Sequence, residues 1–234
     1  MPDTNTYLFY QAYVVNVKDF LFAESEVRRL INKALKSNKE LTVKVQTKIY
    51  ALLYSTYSES SFMKMILTPY GFEQKYVDEI LRQENIQMKW IKCLELAFLK
   101  FSESQKGSEI PNKKLELTRI IQTYIVSPSV IRNKIAHGQL TVALNSKTTN
   151  LNPEITATIG VLDFVTISRW FKINKYLQLI IEDLIESPNV AHHNHYYQIF
   201  QELEAFIEKS KTWSLETKLQ TKNMLKPVRY NKKL

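Results

Sequence analysis

Glycine is scarce in this chain, and what there is lies scattered. Gly71, Gly107, Gly138 and Gly160 are its only four, too far apart to form a phosphate-cradling loop or a dinucleotide fingerprint. That excludes the usual nucleotide-motif enzymes. Cysteine occurs once, so there is no disulfide framework, and a reducing compartment is expected. Cys93 stands in the apolar run Ile91–Leu96 and reads as a buried structural thiol. No window approaches the ~18 uninterrupted apolar residues of a membrane span. The opening Met-Pro-Asp-Thr-Asn carries no basic start before an apolar stretch, unlike a secretory signal. These absences point to a cytoplasmic protein that does not engage a membrane. Internal repeats and low-complexity segments are also missing.

What is present suits a globular chain: 234 residues, 44% of them hydrophobic and 24% charged. This length can bury a sizeable core. Helical spacing of apolar residues predicts helices over Val17–Lys36, Leu41–Leu67, Phe72–Phe101, Lys113–Val126, Leu162–Glu186 and Tyr196–Lys209. The third of these is expected to break near Gln83–Asn85. Tyr7–Val17 is aromatic and β-branched and reads equally as extended or helical. After Gly138 the pattern changes. Thr141–Leu144 and Ile155–Ile159 alternate or are β-branched, which suggests a small β-hairpin or a flexible flap. The expected fold class is all-α, a helical bundle with that small addition. Its parts are an N-terminal segment and first helix (1–40), a bundle (41–187), and a C-terminal helix with a basic tail (188–234).

Charge is unevenly spread. The chain carries 32 Lys and Arg against 23 Asp and Glu. From Lys209 onward eight basic residues face Glu216 alone, with Trp213 and Tyr230 interleaved. Cations with aromatics suit a polyanion, since they neutralise phosphates and stack bases. Lys218, Lys222, Lys226, Arg229, Lys232 and Lys233 are therefore candidate RNA contacts; a solvated terminus is the plainer alternative. His192, His193 and His195 invite a metal reading, and His192 and His195 would share a helical face. No Cys or clustered carboxylate adjoins them as a third ligand, so neither a metal nor another cofactor is expected.

The densest chemistry lies in Ile131-Arg132-Asn133-Lys134-Ile135-Ala136-His137-Gly138. Ser127 and Pro128 suit the start of a short helix, as N-cap and first-turn residue. Val130, Ile131 and Ile135 offer apolar anchors, and Gly138 a left-handed stop. Asn133 and His137 stand at i and i+4 and share a face. Arg132 is roughly 140° away around the axis and about 7.5 Å along it, so only its long side chain could approach the imidazole. On one helix this is an incomplete site.

The order Arg-Asn-Lys-Ile-Ala-His-Gly resembles the Arg, polar residue, three residues, His signature of the HEPN superfamily. The resemblance is tight over Arg132–Gly138 and loose over about Leu41–Ser187. It implies a helical bundle with the motif late in the chain, and two protomers whose motifs line one cleft. It also implies RNA cleavage without a metal, of toxin or phage-defence type, with an antitoxin as a possible partner. The resemblance also offers Glu59 as the acidic residue that such proteins often carry on an early helix facing the site, where it would pair or tune Arg132; an ordinary surface glutamate is the alternative.

The residue chemistry fits that expectation. Histidine, with an unperturbed pKa of about 6.5, can move the 2′-hydroxyl proton. Arginine is always charged, and its planar fork matches two phosphate oxygens. Asn133 could hold the imidazole in one tautomer or hydrogen-bond the phosphate. One chain supplies one histidine, whereas acid–base work prefers two, so a two-fold homodimer is expected. The motif also carries no carboxylate to hold the metal ions of a two-metal nuclease. The alternative is a non-catalytic module of the same build that binds RNA or a nucleotide, or only dimerises.

Overall fold

A computed structural model describes residues 4–102, 110–186 and 196–224. The chain is an all-α helical bundle. Helix α1 (Thr4–Lys36) extends back through the ambiguous Tyr7–Val17 stretch, whose aromatic and β-branched residues are helical. It stops at Asn38, whose φ of 52° is left-handed, a region asparagine tolerates. Lys39 N–H then donates to the Ala34 carbonyl at 3.0 Å and Asn38 N–H to that of Leu35 at 3.3 Å, closing the helix end. This short turn returns the chain as α2 (Glu40–Ile66), which packs along α1.

Helices α3 (Gln74–Leu81) and α4 (Ile86–Ser102) are separated at the break expected near Gln83–Asn85. Asn85 causes it: its side-chain oxygen accepts the Met88 N–H at 3.0 Å and caps α4. A continuous helical run follows, made of α5 (Ile110–Ile121), a π-helical turn (Gln122–Val126) and α6 (Ser127–Ala136). Beyond it come α7 (Pro153–Val161), α8 (Phe164–Glu186), α9 (Tyr197–Ser210) and α10 (Leu215–Met224). Asp163 caps α8 by accepting from Val165 and Thr166 N–H at 2.7 and 2.9 Å.

The expected β-hairpin is not formed. Among the described residues the only pairing is one antiparallel bridge, Leu144 with Leu151. Ile155–Ile159 lies inside α7, because Asn152 accepts the Ile155 N–H at 3.0 Å and Pro153 occupies the first helical turn. Local capping outweighs the β-branched composition here. The segment before α7 is tied down rather than loose. Lys134 Nζ donates to the Leu144 carbonyl at 2.6 Å, and Asn152 N–H donates to that of Ala143 at 2.7 Å.

The core has two parts. One gathers the C-terminal half of α2 with α3, α4, α5, α9 and the second half of α8, around Phe62, Trp90, Leu94, Leu177 and Leu184. The other joins α1, the first half of α2, α6, α7 and the start of α8, around Tyr50, Tyr54, Tyr57, Ile131, Ile135 and Phe171. Helices α2 and α8 run through both. Among the described residues no helix is long and apolar enough to cross a membrane.

Candidate functional site

The end of α6 is fixed by how the helix enters. Pro128 is buried within a continuous helix, where it has no N–H to give to the Tyr124 carbonyl four residues back. Tyr54 on α2 supplies the missing donor: its hydroxyl reaches the Tyr124 oxygen at 2.6 Å. Burial pushes the Tyr54 hydroxyl well above its ordinary range, so it stays protonated and donating. The π-turn makes room for the proline ring, with Ser127 N–H bonding to the Gln122 carbonyl five residues back. Ser127 therefore does not cap a helix start. It has helical backbone angles, and its hydroxyl also donates to the Gln122 carbonyl, at 3.0 Å.

Downstream, Ile131 and Ile135 are buried against α2 and α8, whereas Val130 is 41% exposed and anchors nothing. Gly138 takes φ +80° and ends the helix as its type predicts. Gly138 N–H donates to the Ile135 carbonyl at 3.1 Å and Gln139 N–H to that of Lys134 at 2.9 Å, the paired bonds of a Schellman stop.

On this helix end Arg132 is half-buried and turned toward α2. Its Nε donates to Ser55 Oγ at 2.8 Å, and Nη2 donates to the Glu59 carboxylate in an ion pair. No partner for Nη1 is found among the described residues. Asn133 and His137 are both exposed. They share a face, but their side chains make no hydrogen bond to each other or to any other described residue; His137 N–H donates to the Asn133 carbonyl at 3.1 Å. No hydrogen bond joins Arg132 to His137. One copy of the chain thus presents a braced guanidinium on the same helix end as an amide and an imidazole whose side chains no other described residue engages by a hydrogen bond.

Ser55 is the site residue that sequence reading missed. The signal was there, since Ser55 precedes Glu59 by four residues and so shares its face of α2. Lys134, inside the motif, serves the fold by holding the Leu144 carbonyl. Glu59 also borders a cleft of 430 Å³ that contains Glu84 and Lys89. Two carboxylates against one ammonium make that cleft a poor place for a phosphate, which leaves the exposed end of α6 as the approach to Arg132.

The basic C-terminal candidates are only partly placed. Lys218 lies on α10 with its ammonium 4.2 Å from the centre of the Phe164 ring. Lys222 is within α10, but its side chain, and all of Lys226, Arg229, Lys232 and Lys233, fall outside the described residues. So do His192, His193 and His195. Among the described residues no group of three or more His, Cys, Asp or Glu is gathered to hold a metal. No protein-family model matches the chain, and no curated protein or solved structure matches it either. The likeness to the HEPN superfamily rests on Arg132–Gly138.

Proposed function

We propose that the protein is a metal-independent endoribonuclease whose active centre combines Arg132, Asn133 and His137 from two copies of the chain. The observation that carries this reading is the division of labour at the end of α6. Arg132 is braced by Ser55 and Glu59, while the neighbouring imidazole and amide face solvent with no hydrogen bond to another described side chain. An arginine so held is pre-oriented toward a developing phosphate charge, which is where such a group gains most.

In the proposed reaction His137 of one copy takes the proton from the 2′-hydroxyl. The 2′-oxygen forms a bond to phosphorus, and the bond from phosphorus to the 5′-oxygen breaks. His137 of the second copy protonates that leaving oxygen. Arg132 neutralises the non-bridging oxygens, and Asn133 orients the imidazole or the phosphate. The products are a 2′,3′-cyclic phosphate and a 5′-hydroxyl. The attacking hydroxyl already sits beside the phosphorus, so no water has to be captured. Exposed apolar residues flank the motif, with Val130 at 41%, Leu140 at 50% and Val142 at 48% exposure, and these would cover one another in the two-fold assembly. Lys218, Lys222, Lys226, Arg229, Lys232 and Lys233 would add phosphate contacts along the strand. The cellular role would be that of a toxin or phage-defence effector, restrained by an antitoxin or another regulator.

The Arg132–Glu59 pair itself favours a second reading. A guanidinium whose charge is already met suits a non-catalytic module that binds RNA or a nucleotide, or one that only dimerises. The test is labelled RNA and the matching DNA strand, each incubated with protein in EDTA, with product ends characterised by mass spectrometry. The nuclease reading expects RNA cut to 2′,3′-cyclic phosphates, DNA intact, and a particle of twice the 27.5 kDa chain mass by light scattering. RNA that is bound but never cut supports the second reading. Activity that vanishes in EDTA, or cut DNA, overturns the mechanism.

A further inference from the structure

Away from the end of α6, a pocket of 730 Å³ opens between α1, α8 and the α9–α10 junction. Its wall carries four cations, Arg28, Arg169, Lys172 and Lys218, and no carboxylate among the described residues. The nearby Glu24 is buried behind Arg28, pairing with it at 3.1 Å while accepting the Tyr50 hydroxyl at 2.8 Å. That carboxylate fixes Arg28 in place and offsets one charge of the four. Arg169 Nε is buried and has no hydrogen-bond partner among the described residues. A buried guanidinium N–H without an acceptor is unusual enough to call for one.

The rest of the wall sets Val165, Phe206 and Trp213 among four serine and threonine side chains. Phe206 and Trp213 meet edge to face, with ring centres 5.6 Å apart, and Trp213 remains 41% exposed. A cationic rim around an exposed indole matches a ligand that is anionic at one end and flat and aromatic at the other. The volume lies within the range of small-molecule sites. A bare phosphate would leave the aromatic wall unused, and an apolar ligand would leave the cations unanswered.

We propose that this pocket binds one nucleotide, with the base stacked on Trp213 and the phosphate held by Arg169 and Lys172. The ligand chemistry is the same for a free mononucleotide and for one nucleotide of an RNA strand. The site stands apart from Arg132, Asn133 and His137 and does not depend on the ribonuclease reading.

The experiment titrates the full chain with adenosine 5′-monophosphate and, separately, with a short oligoadenylate, by calorimetry and by tryptophan fluorescence. Trp90 and Trp170 are buried, so a ligand-dependent change reports chiefly on Trp213. Saturable binding of either ligand is expected, weakened at least tenfold in Arg169→Ala and in Trp213→Ala, and retained in Trp213→Phe. Binding of the mononucleotide marks a free-nucleotide site; binding of the oligomer alone marks an RNA subsite. Lys172→Ala alters an exposed side chain and keeps the test valid should Arg169→Ala unfold. The proposal is overturned if neither ligand saturates at millimolar concentration, if inorganic phosphate binds as well as the nucleotide, or if folded Arg169→Ala or Lys172→Ala variants bind as the parent does.

Discussion

Helices α2 and α8 are shared by both parts of the core, yet the side chains they present change along their length. In the part built on Phe62, Leu94, Leu177 and Leu184, packing is mainly aliphatic. Trp90 Nε1 is buried there with no hydrogen-bond partner among the described residues. In the part that carries α6, the buried groups are tyrosines with placed hydroxyls. Tyr50 donates to Glu24 at 2.8 Å and Tyr54 to the Tyr124 carbonyl at 2.6 Å, while Tyr57 accepts from Gln178 at 3.5 Å. Burial pushes the Tyr57 hydroxyl up to about 12, so it too stays protonated. Aliphatic packing is non-directional, whereas a hydrogen bond fixes a distance and an angle. The aliphatic part supplies stability, and the tyrosine part sets where the end of α6 stands.

Variants in the two parts should differ in kind. Leu177→Ala opens a cavity in the aliphatic core and should cost about 2–5 kcal/mol in a denaturant titration. A loss under ~1 kcal/mol would mean that this part is not the main source of stability. Tyr54→Phe keeps the ring but strips the Tyr124 carbonyl of its donor, which Pro128 cannot replace. It should cost about 1–3 kcal/mol and lower any RNA cleavage beyond what the stability change explains. Equal, small effects on both would show that the hydroxyl does not position α6. Gly138→Ala meets no steric obstacle, since nothing lies within 4 Å of an added Cβ, but it forces φ +80° on a non-glycine residue. About 1–2 kcal/mol is expected, read as a lower Tm with the core intact. Smallest of all should be the reactivity of Cys93. Burial pushes its thiol well above the usual range, so iodoacetamide should leave the native protein unmodified by mass spectrometry and label it only after unfolding. Rapid native labelling would show that water reaches the aliphatic part.

Much of this arrangement could be read from the sequence, because long helices announce themselves by apolar spacing. The breaks after Leu67 and near Asn85, the Gly138 stop and the buried Cys93 all followed from local chemistry. Helix α7 was hidden because Ile155–Ile159 is β-branched, and the decisive residues were Asn152 and Pro153 just ahead of it. Ser127 misled for the opposite reason: Ser-Pro resembles a helix start, and only the distant Tyr54 hydroxyl makes a proline tolerable mid-helix. The pairing of Glu59 with Arg132 follows from the resemblance, whereas Ser55 is marked only by its i, i+4 spacing to Glu59 on one face of α2. The cationic pocket was out of reach, because Arg28, Arg169 and Trp213 meet only once α1, α8 and α9 have packed.

The most direct test of the central claim is one paired measurement on His137→Ala: RNA cleavage in EDTA alongside thermal stability. The imidazole is exposed and makes no hydrogen bond with any described residue, so stability should stay within about 0.5 kcal/mol of the parent. Cleavage should fall by ~10²–10⁴. A variant that loses stability while cleaving RNA at the parent rate per folded molecule would contradict the account, leaving the end of α6 a structural feature.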